Sequence, residues 1–410
     1  YCERELATDA AVDAALTQAS EAQARWRLTP VAERARICLA FCAHFEAGTH
    51  EIATELTWQM GRPIRYAPNE VRGTLERARH MIAIAGDALA DIDVGPKDGF
   101  RRFLRREPLG VVFAVAAWNY PYLIAVNSVI PALMAGNAVL LKHSAQTPLC
   151  AERFENCLRA AGLPDGLFRA LQLSHEQTAK LIRDPRVDFV AFTGSVDGGR
   201  AVQRAAAERF IGVGLELGGC DPAYVREDAD LPHAIENLVD GAFFNSGQSC
   251  CGIQRIYVHR RIYEKFVAGA VELTRRYVLG NPTDPETTLG PVVRTAAARQ
   301  IRAQIAASIA AGARAAIDER EFRASDAATP YLAPQILLDV NHSMPVMREE
   351  IFGPVAGIMP VAGDDEAVRL MNDNPFGLTA AVWTADEQAA LAIGQRIETG
   401  TWFMNRCDYL

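Results

Sequence analysis

The chain has 410 residues, is 50% hydrophobic and 22% charged, and carries a formal net charge of −8. That length supports two or three globular domains, and the acidic balance excludes the clustered basic surface of a nucleic-acid binder. No apolar run reaches the eighteen or so residues of a membrane span, and no signal peptide is visible in a chain that starts at Tyr1, so a cytoplasmic protein is expected.

The opening residues read as helices. Residues 8–27 have helical spacing, Pro30 opens a second helix to about Phe45, a third covers 48–60 and stops at Gly61-Arg62-Pro63, and a fourth covers 68–88. Gly95-Pro96 then breaks the chain, and the weak alternation from Phe100 to Arg106 predicts a hairpin arm over 89–108. Its paired arginines, Arg101-Arg102 and Arg105-Arg106, read as solvated surface.

From 109 the pattern becomes strand and helix in turn. Strands are predicted at 111–116, 138–141, 167–172 and 187–192. Helices are predicted at 124–135 (interrupted by Pro131), 149–161, 176–182 and 199–209. Short apolar strands alternating with helices imply an α/β fold with parallel sheets covered on both faces, whose ligands bind beyond the carboxyl ends of the strands. After Glu216 a second α/β unit has strands at 253–258, 355–360, 379–384 and 401–405. Its helices are predicted at 231–243, 261–277, 293–311, 364–372 and 386–396, and the Ala-rich 303–316 stretch reads as a helix end.

Nine cysteines without regular spacing fit a reduced intracellular protein better than a disulfide scaffold, and eight single histidines give no metal cluster. Cys250 stands out because it follows Gly247-Gln248-Ser249 at the expected start of a helix, whose amides would favour a thiolate. The plain alternative is a buried small hydrophobe. Its neighbour Cys251 points elsewhere. Glu216 sits in an otherwise apolar strand run before Gly218-Gly219, so it faces a cavity or forms a structural ion pair. Asn119 lies in the loop after strand 111–116, placed either to donate to an oxyanion or to make a turn before Pro121. Lys142 ends a strand, and Phe192-Thr193-Gly194-Ser195 leads into a helix whose N-terminus suits a phosphate.

These motifs together resemble the NAD(P)-dependent aldehyde dehydrogenase superfamily. The order carries the resemblance: W-N-Y-P at 118–121, L-L-K at 140–142, F-T-G-S at 192–195, L-E-L-G-G at 215–219, G-Q-x-C at 247–250, E-I-F-G-P at 350–354 and N-x-F-G-L at 374–378. Gly61-Arg62-Pro63 and the 161–166 segment are weaker matches. The resemblance implies two Rossmann-type parallel-sheet domains and a small β oligomerisation arm. Residues 1–88 and 109–217 would bind NAD or NADP, 89–108 would form the arm, and 218–410 would be the catalytic domain. It implies Cys250 as nucleophile, Asn119 with the Cys250 amide as oxyanion donors, and Glu216 as the base that activates water. Lys142 is expected both in catalysis and on the cofactor. Trp118, Gly194, Ser195, Gly199, Leu217, Glu350 and Phe352 are expected as further cofactor contacts.

Departures bear on specificity. Many NAD-preferring members carry a glutamate three residues after the lysine; Ala145 stands there and leaves the choice between NAD and NADP open. His143 replaces a common proline, and Cys220 a common lysine. Members usually continue for several tens of residues beyond the segment at 400–405, with a strand that partners the arm, so a homodimer or homotetramer is expected of the full-length form. Met404, Arg406 and Tyr409 are candidates to meet an ω-carboxyl aldehyde. Two rival readings are a CoA-acylating relative, which usually lacks the glutamate base, and a truncated inactive member with only a structural role. No nucleic-acid or membrane partner is expected.

Overall fold

Four helices open the chain, at Asp9–Trp26, Val31–Ala47, Thr49–Met60 and Ala67–Ala88. In the computed structural model, which describes residues 1–407, contacts divide the chain into two units. The first comprises Tyr1–Gln59 and Tyr66–Glu216; the second comprises Met60–Arg65 and the chain from Leu217 onward. Gly61-Arg62-Pro63, which sequence placed with the first domain, thus groups with the second. The arm is a ribbon within the first unit, with β1 (Ile92–Asp93) antiparallel to β2 (Phe103–Leu104). Phe100 and Leu104 on it are exposed.

The first unit holds a parallel sheet of β3 (Val111–Ala116), β4 (Ala138–His143), β5 (Phe168–Ala170), β6 (Phe189–Thr193) and β7 (Gly212–Glu216), in the order β5-β4-β3-β6-β7. β3 and most of β4 are buried, as their unbroken apolar runs require. Phe41, Phe45, Tyr122 and Phe154 pack ring on ring beside them, with Phe45 and Tyr122 centroids 5.2 Å apart. Each such ring contributes about 2–3 kcal/mol by leaving water.

The helix after β3 corrects the sequence reading. It spans Pro121–Met134 and runs through Pro131 without ending. Proline at its first turn costs no hydrogen bond. The buried Glu70 carboxylate accepts the N–H of Tyr122 at 2.8 Å, satisfying one of the orphan amides there. Near the other end, full burial of Val129, Ile130 and Leu133 outweighs the hydrogen bond that Pro131 forfeits.

The second unit holds seven strands in the order β10-β11-β12-β9-β8-β13-β14, all parallel except the edge strand β10. They are β8 (Asp221–Val225), β9 (Ile253–His259), β10 (Arg314–Ala315), β11 (Gln335–Leu338), β12 (Val355–Val361), β13 (Thr379–Trp383) and β14 (Thr401–Met404). Sequence missed β8 because Asp221-Pro222 reads as a turn. A register shift between those two residues absorbs the proline, and the Asp221 carboxylate takes the N–H of Thr379 at 3.1 Å. Sequence also missed the short β11, and it read Arg314–Ala315 as helix. The helix there stops at Ala310, where Gly312 turns at φ +115°. No helix among the described residues is long and apolar enough to cross a membrane.

Candidate active site

In the first unit the expected residues gather at the carboxyl ends of four neighbouring strands. Trp118 and Asn119 follow β3, Lys142 is the last residue but one of β4, Gly194 and Ser195 follow β6, and Glu216 ends β7. Strand order reverses between β3 and β6, the kind of place where open α/β sheets form a ligand crevice. Asn119 is buried and Glu216 is exposed. Burial lowers the Lys142 ammonium from its ordinary pKa. Ala145 is exposed in the turn beyond it.

Two local devices shape these ends. The Phe192 ring lies under the start of helix Val196–Ala206, where a Cβ on Gly194 or Gly198 would fall within 2.7 Å of it. A side chain at either position would have to displace the ring. Ser195 caps this helix by accepting the Gly198 N–H at 3.2 Å, and Gly199 is buried in the first turn. Its first-turn amides suit a dinucleotide pyrophosphate. The second device is His143, fully buried beside Lys142. Its Nε2 donates to the Pro121 carbonyl at 3.1 Å, and its Nδ1 takes the Thr147 hydroxyl at 3.0 Å. Burial pushes the imidazole down to about 4, so it stays neutral. It ties the Lys142 strand end to the turn that carries Asn119.

In the second unit the candidates lie instead at the amino ends of strands. Gly218-Gly219 precede β8, Cys250 precedes β9, and Glu350 with Phe352 precede β12. No helix begins at Cys250. Helix Leu231–Phe243 ends before it, a short 3-10 turn spans Phe244–Gly247, and β9 follows at Ile253. The expected helix-terminal activation of the thiol is therefore absent. What sets Cys250 is a sharp turn in which Asn245, Ser246 and Gly247 are all left-handed, with φ of 54°, 57° and 68°. Each non-glycine residue held so costs roughly 1–3 kcal/mol, so other contacts must hold it. Cys250 is half-buried; Cys251 is buried, with its sulfur 3.5 Å from the Ser249 hydroxyl.

The three segments converge. A Cβ on Gly219 would lie 2.4 Å from the Cys250 carbonyl oxygen, and one on Gly247 would collide with the backbone of Gly353. Glu350 accepts the Gly219 N–H at 3.2 Å, and its carboxylate occupies the space a Gly218 side chain would need. Gln254 and Arg255, which sequence reasoning passed over, join the pieces. Buried Gln254 donates to the carbonyls of Val346 and Glu349 at 2.8 and 2.7 Å, and accepts the Ile351 N–H at 2.9 Å. Buried Arg255 donates to the Cys220 carbonyl at 2.8 Å and to those of Leu370 and Met371. Their signal was a Gln-Arg pair inside the apolar run Ile253–Val258. Asn374 donates to the Met347 carbonyl at 3.2 Å, so N-x-F-G-L anchors the segment that leads to Glu350. Cys220 is buried and contacts the Glu349 carbonyl. Leu217 is half-buried, and Arg406 is exposed with its guanidinium over the Phe403 ring. Tyr409 lies outside the described residues.

Burial raises the Glu350 carboxyl from 4.5 to about 7, against the smaller opposing pull of the Gly219 N–H. A carboxyl with a raised folded pKa binds its proton more tightly folded than unfolded. Its stabilising contribution is full below 4.5 and is lost as pH rises through about 7. Glu350→Gln stays neutral and removes this dependence. Urea unfolding at a series of pH values should show the parent losing on the order of 3 kcal/mol more than the variant across that window. Parallel pH profiles for the two proteins would contradict the assignment.

Comparison with known proteins identifies the family. The Aldehyde dehydrogenase family profile matches residues 1–409. A succinate-semialdehyde dehydrogenase [NADP(+)] of Mycobacterium avium is 35% identical over 402 residues, covering 97% of this chain and 84% of its own. The crystal structure of succinic semialdehyde dehydrogenase from Streptococcus pyogenes, in complex with NADP+, superposes with a TM-score of 0.95 at 27% identity, covering 100% of this chain and 90% of that one. An NAD-dependent aldehyde dehydrogenase from Sinorhizobium meliloti superposes at 0.93 with 31% identity, covering 99% and 81%. The chain belongs to the aldehyde dehydrogenase family and is an NAD(P)-dependent enzyme that oxidises aldehydes to acids.

Proposed function

We propose that the first unit binds the dinucleotide and the second carries the nucleophile, and that Cys250 forms a thiohemiacetal with the aldehyde. Support comes from the chemistry each residue offers where it stands. The Cys250 thiolate adds to the carbonyl carbon. The Asn119 side-chain amide and the Cys250 N–H donate to the oxygen as it becomes anionic, which favours the tetrahedral state over the flat carbonyl. When bound, the nicotinamide supplies the hydride acceptor, and oxidation leaves a thioester on Cys250. Glu216 takes a proton from water, the resulting hydroxide equivalent attacks the thioester, and the acid leaves with the thiol restored. Lys142, Ser195 and the amides around Gly199 would hold ribose and pyrophosphate, Trp118 and Leu217 would complete the pocket, and Glu350 with Phe352 would hold the nicotinamide end.

The observation that carries this reading is the convergence of Cys250, Gly218-Gly219 and Glu350 at adjoining strand ends, in a chain whose family match runs through all of them. The preferred substrate in this reading is an aldehyde with a distal carboxylate, supported by the names of the relatives and by Arg406. Exposed apolar side chains on the arm support self-association. A panel of aliphatic, aromatic and carboxylated aldehydes, followed by the absorbance of the reduced cofactor, tests the reaction; no reduction with any aldehyde by the folded protein would overturn it.

Cofactor choice follows from Ala145. With no carboxylate in the turn after β4, nothing at that position repels a 2′-phosphate, and NADP is accepted. Ala145→Glu should lower kcat/KM for NADP by at least about tenfold while NAD is held or improved, since a like-charge encounter costs one to several kcal/mol. An unchanged ratio of the two would remove Ala145 from cofactor selection.

A further inference from the structure

Gly61-Arg62-Pro63 has no part in the chemistry above, yet it packs against the turn that delivers Cys250. Gly61 turns at φ +83°, and a Cβ there would lie 2.8 Å from the Pro291 ring. A Cβ on Gly290 would in turn lie 2.0 Å from the Gly61 carbonyl oxygen, so the two backbones interlock. The Ile64 N–H donates to the Pro282 carbonyl at 2.7 Å. This fixed platform presents Arg62, which is 2% exposed and whose Nε donates to the Asn245 side-chain oxygen at 3.2 Å.

Asn245 opens the left-handed run that ends three residues before Cys250. Its amide nitrogen donates to the Gln248 carbonyl at 3.2 Å, and the Gln248 side chain donates back to the Asn245 carbonyl at 3.0 Å. The same turn is tied to the 290–293 segment twice. The Ser246 hydroxyl donates to the Gly290 carbonyl at 2.7 Å, and the Gln248 side-chain oxygen accepts the Val293 N–H at 2.7 Å. We propose that Arg62 is a positioning residue for Cys250, holding the left-handed turn in place through Asn245. The inference rests on Cys250 being the nucleophile. Without the guanidinium, the Asn245 side-chain oxygen loses the Arg62 hydrogen bond that helps orient it, and the turn relaxes toward right-handed backbone. The sulfur then moves away from the place where an aldehyde carbon meets it.

The test uses the full chain and reads the thiol directly. Arg62→Met keeps the length of the side chain and removes its donors. Alkylation of Cys250 by iodoacetamide, assigned against the adjoining Cys251 by fragmentation in the mass spectrometer, should slow about tenfold, and kcat should fall by roughly ten- to a hundredfold, since small displacements of a reacting atom are costly. Cofactor affinity should be unchanged, which separates a positioning role from general loss of structure. Arg62→Lys should recover part of both rates. Asn245→Gly tolerates the left-handed backbone without the side chain; in that background Arg62→Met should cost little more. Wild-type alkylation and kcat in Arg62→Met, or full additivity with Asn245→Gly, would overturn the proposal. If Arg62→Met does not fold, Asn245→Gly alone decides, by losing or keeping Cys250 reactivity. Alkylation reports the position of the thiol whatever the reaction is, so it stands apart from Cys250→Ala, which tests the nucleophile itself.

Discussion

Cys250→Ala is expected to lose aldehyde oxidation by roughly 10⁴-fold or more while binding the cofactor as the parent does. The size of the effect follows from the kind of catalysis. The proposed covalent route would split one difficult oxidation into addition, transfer and hydrolysis, and without the sulfur it would have no thiohemiacetal from which to transfer. The oxyanion donors and the cofactor groups remain, so binding of NADP followed by fluorescence should not change. Cys251→Ala supplies the contrast. That thiol is buried against Ser249, and its loss should leave turnover close to the parent's. Turnover retained in Cys250→Ala, or lost in Cys251→Ala with the fold intact, would contradict the assignment of the pair.

Glu216→Gln should split the reaction in time. In the proposed mechanism thiol addition and oxidation do not need the carboxylate, so one equivalent of reduced cofactor should appear at the parent's rate. Hydrolysis then lacks its base, and steady turnover should fall by about 10²–10⁴-fold. Rapid-mixing absorbance separates the burst from the steady state. The exposed place of Glu216 at the end of β7 suits the role, since a base for water must be reached by water. The same variant discriminates the CoA-acylating alternative. If coenzyme A restores turnover in Glu216→Gln and also raises it in the parent, the thioester is passed to a thiol, and Glu216 is not the base that matters. A proportional loss of burst and steady state would place Glu216 in the first chemical steps instead.

The first unit was legible in sequence because its signals are local. Helix periods in the first 88 residues and apolar runs such as Val111–Ala116 report buried faces directly, and the strand-end motifs then fall where a parallel sheet puts ligands. The errors came where a neighbour far along the chain overrides a local rule. Pro131 reads as a break, but buried Val129, Ile130 and Leu133 carry the helix past it. Asp221-Pro222 reads as a turn, but β9 and β13 on either side make it a strand. In the second unit the candidate groups sit at the amino ends of strands, which a general rule about carboxyl ends does not foresee. Cys250 is a candidate by its motif alone, and its setting is a turn where a helix start is expected. Three left-handed residues in a row are invisible to periodicity, and the groups that hold them lie tens to hundreds of positions away, at Arg62, Gly290 and Val293. Gln254 and Arg255 are buried clamps that sequence passes over, because their partners are backbone carbonyls that carry no sequence signature.

The most direct measurement is the mass of the Cys250 peptide from Glu216→Gln, quenched in acid after mixing with an aldehyde and excess NADP. The acyl group is expected on Cys250 itself, assigned against the adjoining Cys251 by fragmentation of the peptide, in an amount equal to the cofactor reduced in the burst. An unmodified Cys250 peptide after a full burst, or an acyl group found on any other side chain, would contradict it.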